Sequence, residues 1–321
     1  MKPAYLLVVL TLVVVGAAVP GQEQPITDPA KADADFAVQG EYVGEVAGED
    51  RKRAKYGIQV VAQSPGKFRA YGHQGGLPGD GWDKSKKVEG DGQTKDGVTL
   101  FPKFLGSATI KDQVLTITGT GGAKIGELKR VVRESQTLGA KPPEGAIVLF
   151  DATTGTEHFP GAKLTDDKFL GVPATSKRFF AKDFTLHIEF RIPYRTHGNS
   201  GVYLQGSYEL QLLQSFGKNI GVHDCGAIYS IRTPDVNMSF PPLSWQTFDV
   251  DYQVAKFDAD GKVPQTPVVT VRHNGVVIHE KVQLPDTPTG GGRALSPKGG
   301  PLYLQPYGNP TAFRNIWVVE K

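Results

Sequence analysis

The sequence predicts an all-β protein, a small all-β domain followed by a jelly-roll sandwich of two antiparallel sheets. Three observations carry that expectation. Apolar and polar residues alternate with period two in one short segment after another. Gly, Pro and Asp punctuate those segments at regular intervals. No helical heptad appears. Strands with one oily side must bury it, and two packed sheets do so for the many strands of the second half.

At the start, Lys2 precedes an apolar run from Ala4 to Val15 and the small residues Gly16, Ala17 and Ala18, the pattern of a secretory signal peptide over residues 1–21. A membrane anchor is the alternative, but the run is shorter than the roughly 20 residues that span a bilayer. Cleavage between Ala18 and Gln22 would make the mature protein secreted or periplasmic, with no membrane span left. Residues 22–35 hold Pro25 and Pro29 without periodicity and read as a mobile leader. Export permits disulfides, yet Cys225 is the only cysteine, so no intrachain bridge forms and stability must come from core burial. Lacking a CxxC partner or an evident base, Cys225 reads as a small buried residue. The formal net charge is +3, from 36 basic and 33 acidic residues. Without a concentrated basic stripe, it argues against a nucleic-acid partner.

From Phe36 to about Ser135, short alternating runs such as Tyr56–Val61, Lys67–Tyr71, Val114–Thr118 and Glu127–Val132 suggest a meander or partial barrel. The glycine-dense stretch Gly72–Trp82 has two readings. It is a ligand loop with His73 and Trp82 as contacts, or a tight connection whose Trp82 plugs the small core. Thr118–Gly122 has no Lys-Ser/Thr ending and no following helix, so it reads as a hairpin turn rather than a phosphate loop. Residues 136–144, with Gly139, Pro142 and Pro143, read as a linker.

Residues 145–321 form the second unit. In Asn199–Leu213, Val202, Leu204, Leu210 and Leu212 take one face, whereas Tyr203, Gln205, Glu209 and Gln211 take the other. Pro301–Tyr307 repeats the theme, Leu302 and Leu304 inward, Tyr303 and Gln305 outward. Aromatic rings stack on the C–H faces of sugars while amides and carboxylates satisfy hydroxyls, so this surface suits a carbohydrate. His197, Asn199 and Tyr307 flank it as further substrate contacts. The strand from Phe184 alternates too, and its Thr185, His187, Glu189 and Arg191 fit an outer sheet face as well as a groove. Gly221–Tyr229 clusters His223, Asp224, Cys225 and Tyr229; the adjacent His223 and Asp224 point apart in an extended loop, and His223 suits a catalytic role or a structural hydrogen bond. Arg314 stands among apolar residues, where an unpaired charge is costly. It is expected to pair with Glu209 or Glu189.

Six motifs in order carry a resemblance: Asn199-Ser-Gly-Val-Tyr203, Tyr208-Glu-Leu-Gln211, Gly226-Ala-Ile-Tyr229, Trp245 before Phe248-Asp249, Gly300-Pro-Leu-Tyr-Leu-Gln305 and Phe313-Arg-Asn-Ile316. Over residues 145–320 the chain resembles the 3-keto-disaccharide hydrolase family. That resemblance implies a concanavalin-like jelly roll and an exported protein acting on glycosides oxidised at carbon 3. A ketone there acidifies the carbon-2 proton; a base removes it, the enolate expels the aglycone, and water adds back. The expected catalytic set is Glu209 or His223 as base, Arg314 or a bound divalent ion at the enolate, and Tyr229 or Asp224 as proton donor. No other cofactor is called for. A retaining glycosidase needs two carboxylates about 5.5 Å apart; after Glu209 that face offers Gln211 instead. A lectin-like module without chemistry is the alternative. A structural envelope protein would show long repeats or a surface anchor, and neither is present.

Overall fold

The computed structural model describes residues 24–321 apart from positions 49, 51 and 86. The signal-peptide segment therefore lies outside the described residues. Among the described residues no helix is long and apolar enough to cross a membrane.

Eight strands open the fold: β1 (Gly40–Ala47), β2 (Arg53–Ser64), β3 (Lys67–Gln74), β4 (Val88–Lys95), β5 (Val98–Phe101), β6 (Ser107–Lys111), β7 (Val114–Thr118) and β8 (Lys124–Val131). They follow one another as an antiparallel meander, and β1 pairs with β8 to close a barrel. Alternation decides what lies inside. Tyr42, Ile58, Val60, Phe68, Ala70, Phe101, Leu115 and Ile117 fill the interior, each large one contributing about 1.5–3 kcal/mol by leaving water. Gly92 allows Phe101 its place, since a methyl group at 92 would lie 2.5 Å from the ring. The 119–123 segment is the hairpin turn between β7 and β8, with Gly122 N donating to Gly119 O.

The odd-numbered neighbours on β2 and β3 point outward. Val61 and Tyr71 pack on Phe216 of the second unit. Trp82 is not in the barrel core, as one reading had it, but packs edge-on against His73 on this outer face, centroids 4.6 Å apart.

The second unit contains β9 (Ile147–Phe150), β10 (Ala174–Phe180), β11 (Phe184–Arg191), β12 (Ser200–Leu204), β13 (Tyr208–Leu212), β14 (Trp245–Gln253), β15 (Val268–His273), β16 (Val276–Gln283), β17 (Gly300–Gln305) and β18 (Ala312–Glu320). They make a four-stranded sheet, β10-β17-β12-β13, and a six-stranded sheet, β16-β15-β14-β11-β18-β9. This is the expected β-sandwich. Val202, Leu204, Leu210, Leu212, Leu302 and Leu304 from one sheet meet Leu186, Ile188, Phe190, Phe248 and Val250 from the other. Cys225 is buried in the same core, and burial pushes its thiol up to about 11.

Two connecting segments differ from expectation. Residues 24–35 are not a free leader. A 3-10 turn (Pro29–Lys31) and α1 (Ala34–Val38) are capped by Asp28 and Asp33, Ile26 and Tyr194 exchange backbone hydrogen bonds of 2.9 and 2.8 Å, and Arg195 pairs with Asp33 and Asp35. The reason is local: aspartates at helix starts accept otherwise orphaned N–H groups, and the charges left over meet a guanidinium. The linker is likewise laid along the six-stranded sheet. Thr137 Oγ1 donates to Asp249 Oδ2 at 2.6 Å, and Gly139 N to Glu189 Oε1 at 2.6 Å. Ala140 O accepts from Asn315 and Trp317. Polar strand residues that would otherwise face water thus find backbone partners.

Candidate active site

Register builds the site on the outer face of the four-stranded sheet. Tyr203 stands opposite Tyr303 on β17 and opposite Glu209 on β13. Beyond β13, Tyr229 N donates to Glu209 O at 3.0 Å, so the 226–229 segment extends the sheet by one irregular strand. The result is a row across the sheet: Tyr303, Tyr203, Glu209, Tyr229. One step along, Gly201 is flanked by Gln305 and Gln211. Gly201 matters because it has no side chain; a methyl group there would sit 2.1 Å from Glu209 Oε1. The carboxylate lies across it.

Glu209 is 4% exposed. Tyr203 Oη lies 2.9 Å from Glu209 Oε2 and 3.0 Å from Gly290 O, and accepts from Gln305 Nε2 at 3.1 Å. The Gln211 amide satisfies its neighbours in the orientation that donates to Glu209 Oε1 at 2.9 Å and Ser200 O at 3.1 Å. All these partners are neutral. Burial therefore prevails over the Tyr203 hydrogen bond and pushes the Glu209 carboxyl up to about 7. Burial, with the neighbouring Glu209 charge behind it, raises the Tyr203 phenol well above its ordinary value, so it stays protonated as a donor.

A glycine loop that the sequence reading passed over closes the site from above. Gly290, Gly291 and Gly292 lie between β16 and β17, the first two at φ +67° and +79°. Thr289 Oγ1 donates to Tyr229 O and Arg293 N to Gly206 O, both at 2.8 Å. A methyl group at Gly290 would stand 2.9 Å from Tyr229 Cδ1 and 3.4 Å from Glu209 Oε2, so the ring, the carboxyl and the loop converge on one point. The triple glycine was the available signal.

The remaining expected residues divide. His223 joins the edge of the row, its ring 4.8 Å from Tyr229 and its Nε2 2.9 Å from Ser230 Oγ. Asn199 reaches Gln211 at 3.3 Å. Exposed His197 lies further along, in a cleft of about 730 Å³ between the sandwich and the barrel that Gln214 and Asn309 also line. Tyr307 is 63% exposed nearby. Three assignments are corrected. Gln205 is a turn residue: with Gly206 it takes positive φ (53° and 66°), as a type I′ hairpin requires, and its amide donates to Phe180 O at 2.6 Å. Asp224 is spent on its own loop, accepting from Ser215 Oγ and Gly221 N. Arg314 is on the other sheet, where its Nε donates to Glu189 Oε2 at 2.6 Å and its guanidinium lies 4.1 Å from the Trp245 ring centre. Of its two expected partners it takes Glu189, because a bulge near Asn315 (φ +44°) turns Arg314 and Asn315 to the same outer face.

A family profile matches residues 78–319, well over half of the chain and reaching back from the sandwich into the barrel. The chain belongs to the 3-keto-alpha-glucoside-1,2-lyase-like domain family. A crystal structure of a candidate glycosyl hydrolase from Parabacteroides distasonis is 30% identical, with a TM-score of 0.50 over 56% of this chain and 85% of that one. A second from the same organism is 16% identical, with a TM-score of 0.40 over 60% and 98%. No curated protein matches.

Four of the six motifs that carried the family resemblance contribute Tyr203, Glu209, Gln211, Tyr229, Tyr303 and Gln305 to the site, while the Trp245 and Phe313 motifs lie on the six-stranded sheet. A divalent ion is not fitted by what surrounds Glu209. Its neighbours are phenols and amides, and among the described residues no three His, Cys, Asp or Glu side chains gather to hold a metal.

Proposed function

We propose that this protein is an exported glycoside-processing enzyme that cleaves 3-keto-glucosides by removing the carbon-2 proton. The observation that carries the reading is Glu209, a buried carboxyl poised near neutral pH among neutral hydrogen-bond donors. Membership of the lyase-like family and the 30%-identical glycosyl hydrolase-like neighbour support the substrate class.

In this reading the Gly290 loop lifts to admit the sugar, which stacks on Tyr303. Ionised Glu209 takes the proton from carbon 2. The electron pair moves onto the carbon-3 oxygen, where the Tyr203 hydroxyl and the Gln305 amide donate hydrogen bonds. The enolate then re-forms its ketone and a carbon 1–carbon 2 double bond as the bond from carbon 1 to the glycosidic oxygen breaks. His223 or Tyr229 gives the departing oxygen its proton, and water adding across the double bond completes net hydrolysis. Neither a second carboxylate nor a metal is required.

The test is aglycone release from chromogenic 3-keto-glucosides, both anomers, beside their unoxidised parents, with and without chelator. Release from the keto compounds alone is expected, insensitive to chelator, with a rate rising as pH passes about 7 and Glu209 loses its proton. Equal release from the parents would overturn the mechanism. Binding without release would favour a lectin-like module, for which the stacked tyrosines would suffice.

A further inference from the structure

The barrel brings a second site to the junction. On β2 and β3 the outward residues include Gln59 and His73, and beside the Val61–Tyr71–Phe216 contact a cavity of about 320 Å³ opens between the two units. His73, Trp82, Lys84 and Lys87 line it from the barrel, Lys218 and Asp235 from the sandwich. None of these surrounds Glu209.

His73 is 2% exposed, yet neither ring nitrogen has a hydrogen-bond partner among the described residues. Buried polar atoms left unpaired bear their full desolvation cost, so such a pair calls for a ligand. Burial, then the charges of Lys87 and Arg133, push the imidazole down to about 4, leaving it neutral at pH 7. A neutral ring offers one donor and one acceptor. A sugar hydroxyl both donates and accepts and so suits either nitrogen; a carboxylate or phosphate would serve only the N–H. The half-buried Trp82 indole beside it is a surface on which a sugar ring stacks.

Charge narrows the class further. Asp235 is already paired with Arg232 at 2.7 Å. Lys87 is held at the junction, its Nζ 4.6 Å from the Tyr71 ring centre and 3.4 Å from Gly217 O, without a carboxylate at pairing distance among the described residues. Lys84 and Lys218 add two more positive charges.

We propose that this cavity binds a single acidic sugar unit of the uronate type, with a hydroxyl on His73, its ring on Trp82 and its carboxylate toward the lysines. The inference stands apart from the chemistry assigned to Glu209. The site would hold the barrel and sandwich to an acidic polysaccharide while the groove works on another glycoside.

Calorimetric titration of the full mature chain with glucuronate, and separately with glucose, tests it. Glucuronate is expected to bind at least tenfold more tightly than glucose and to weaken as salt rises. Trp82→Ala and His73→Phe are each expected to weaken it at least tenfold, and Glu209→Gln to leave it unchanged. His73→Phe also removes the unpaired nitrogens, so its melting temperature should hold or rise; should it fail to fold, the half-exposed Trp82 variant decides. Equal affinity for glucose, binding that survives Trp82→Ala, binding lost with Glu209→Gln, or no glucuronate binding at millimolar concentration would each overturn the proposal.

Discussion

Glu209 and Glu189 occupy equivalent situations on opposite sides of the sandwich. Each sits mid-strand on an outer sheet face, and each is covered by a crossing segment, the Gly290 loop for one and the linker for the other. Their exposures are 4% and 1%. Their chemistry is opposite. Burial also pulls the Glu189 carboxyl upward, but donors at His187, Asn315, Arg314 and Gly139 N outweigh it and hold the group at about 2. Glu209 meets only neutral phenol and amide donors and stands at about 7. Desolvation alone therefore does not make a base. What matters is how many donors meet the carboxyl and whether one of them is charged, as Arg314 is beside Glu189.

The sharpest way to break this comparison is to neutralise each carboxyl in turn. Glu209→Gln is expected to lower kcat on a 3-keto-glucoside about 10²–10⁴-fold, whereas Glu189→Gln should leave the kcat of folded protein within about threefold. Comparable losses in both variants would erase the distinction.

Stability against pH is the next lever. The raised pKa of Glu209 makes its contribution fully present below about 4.5, the ordinary value, and lost as pH rises through about 7. Glu209→Gln escapes that loss. Denaturant titration at pH 8 should find it more stable than wild type by on the order of 3 kcal/mol, with the gain vanishing near pH 4. Glu189 has the opposite sign. Its contribution is present above about 4.5 and disappears as pH falls toward 2. A variant less stable at pH 8 would mean that the Glu209 carboxylate is held by favourable contacts after all.

Smallest is the cost of removing the cation. Arg314→Met is expected to destabilise by about 2 kcal/mol. That is below the figure for a fully buried pair, because the Asn315 and Gly139 donors remain on Glu189. Its turnover per folded molecule should be unchanged, and a large fall in kcat would return Arg314 to the reaction.

Alternation made half of this legible in advance. It separated Val202, Leu210 and Leu304 from Tyr203, Glu209 and Tyr303, and register then aligned the polar set into one row. A period of two assigns a face but not a sheet. Arg314 could be expected to meet either glutamate, and only the strand order resolved which. Gln205 carried the right parity but falls where the chain reverses at positive φ, and parity fails inside a turn. The covering segments, residues 136–144 and 289–293, have no periodicity because they make single hydrogen bonds to the groups they cross rather than a ladder. Their placement is written in the strands they cross.

One consequence of the barrel concerns assembly. Because β8 returns to β1, none of its eight strands offers an open edge of unpaired N–H and C=O groups. Such edges are where foreign strands add and where aggregation begins. The sandwich does have terminal strands, β10, β13, β16 and β9, and its β13 flank is taken up by residues 226–229. Growth of this protein by strand addition would therefore have to start from the sandwich, while anything that docks on the barrel must be recognised through side chains.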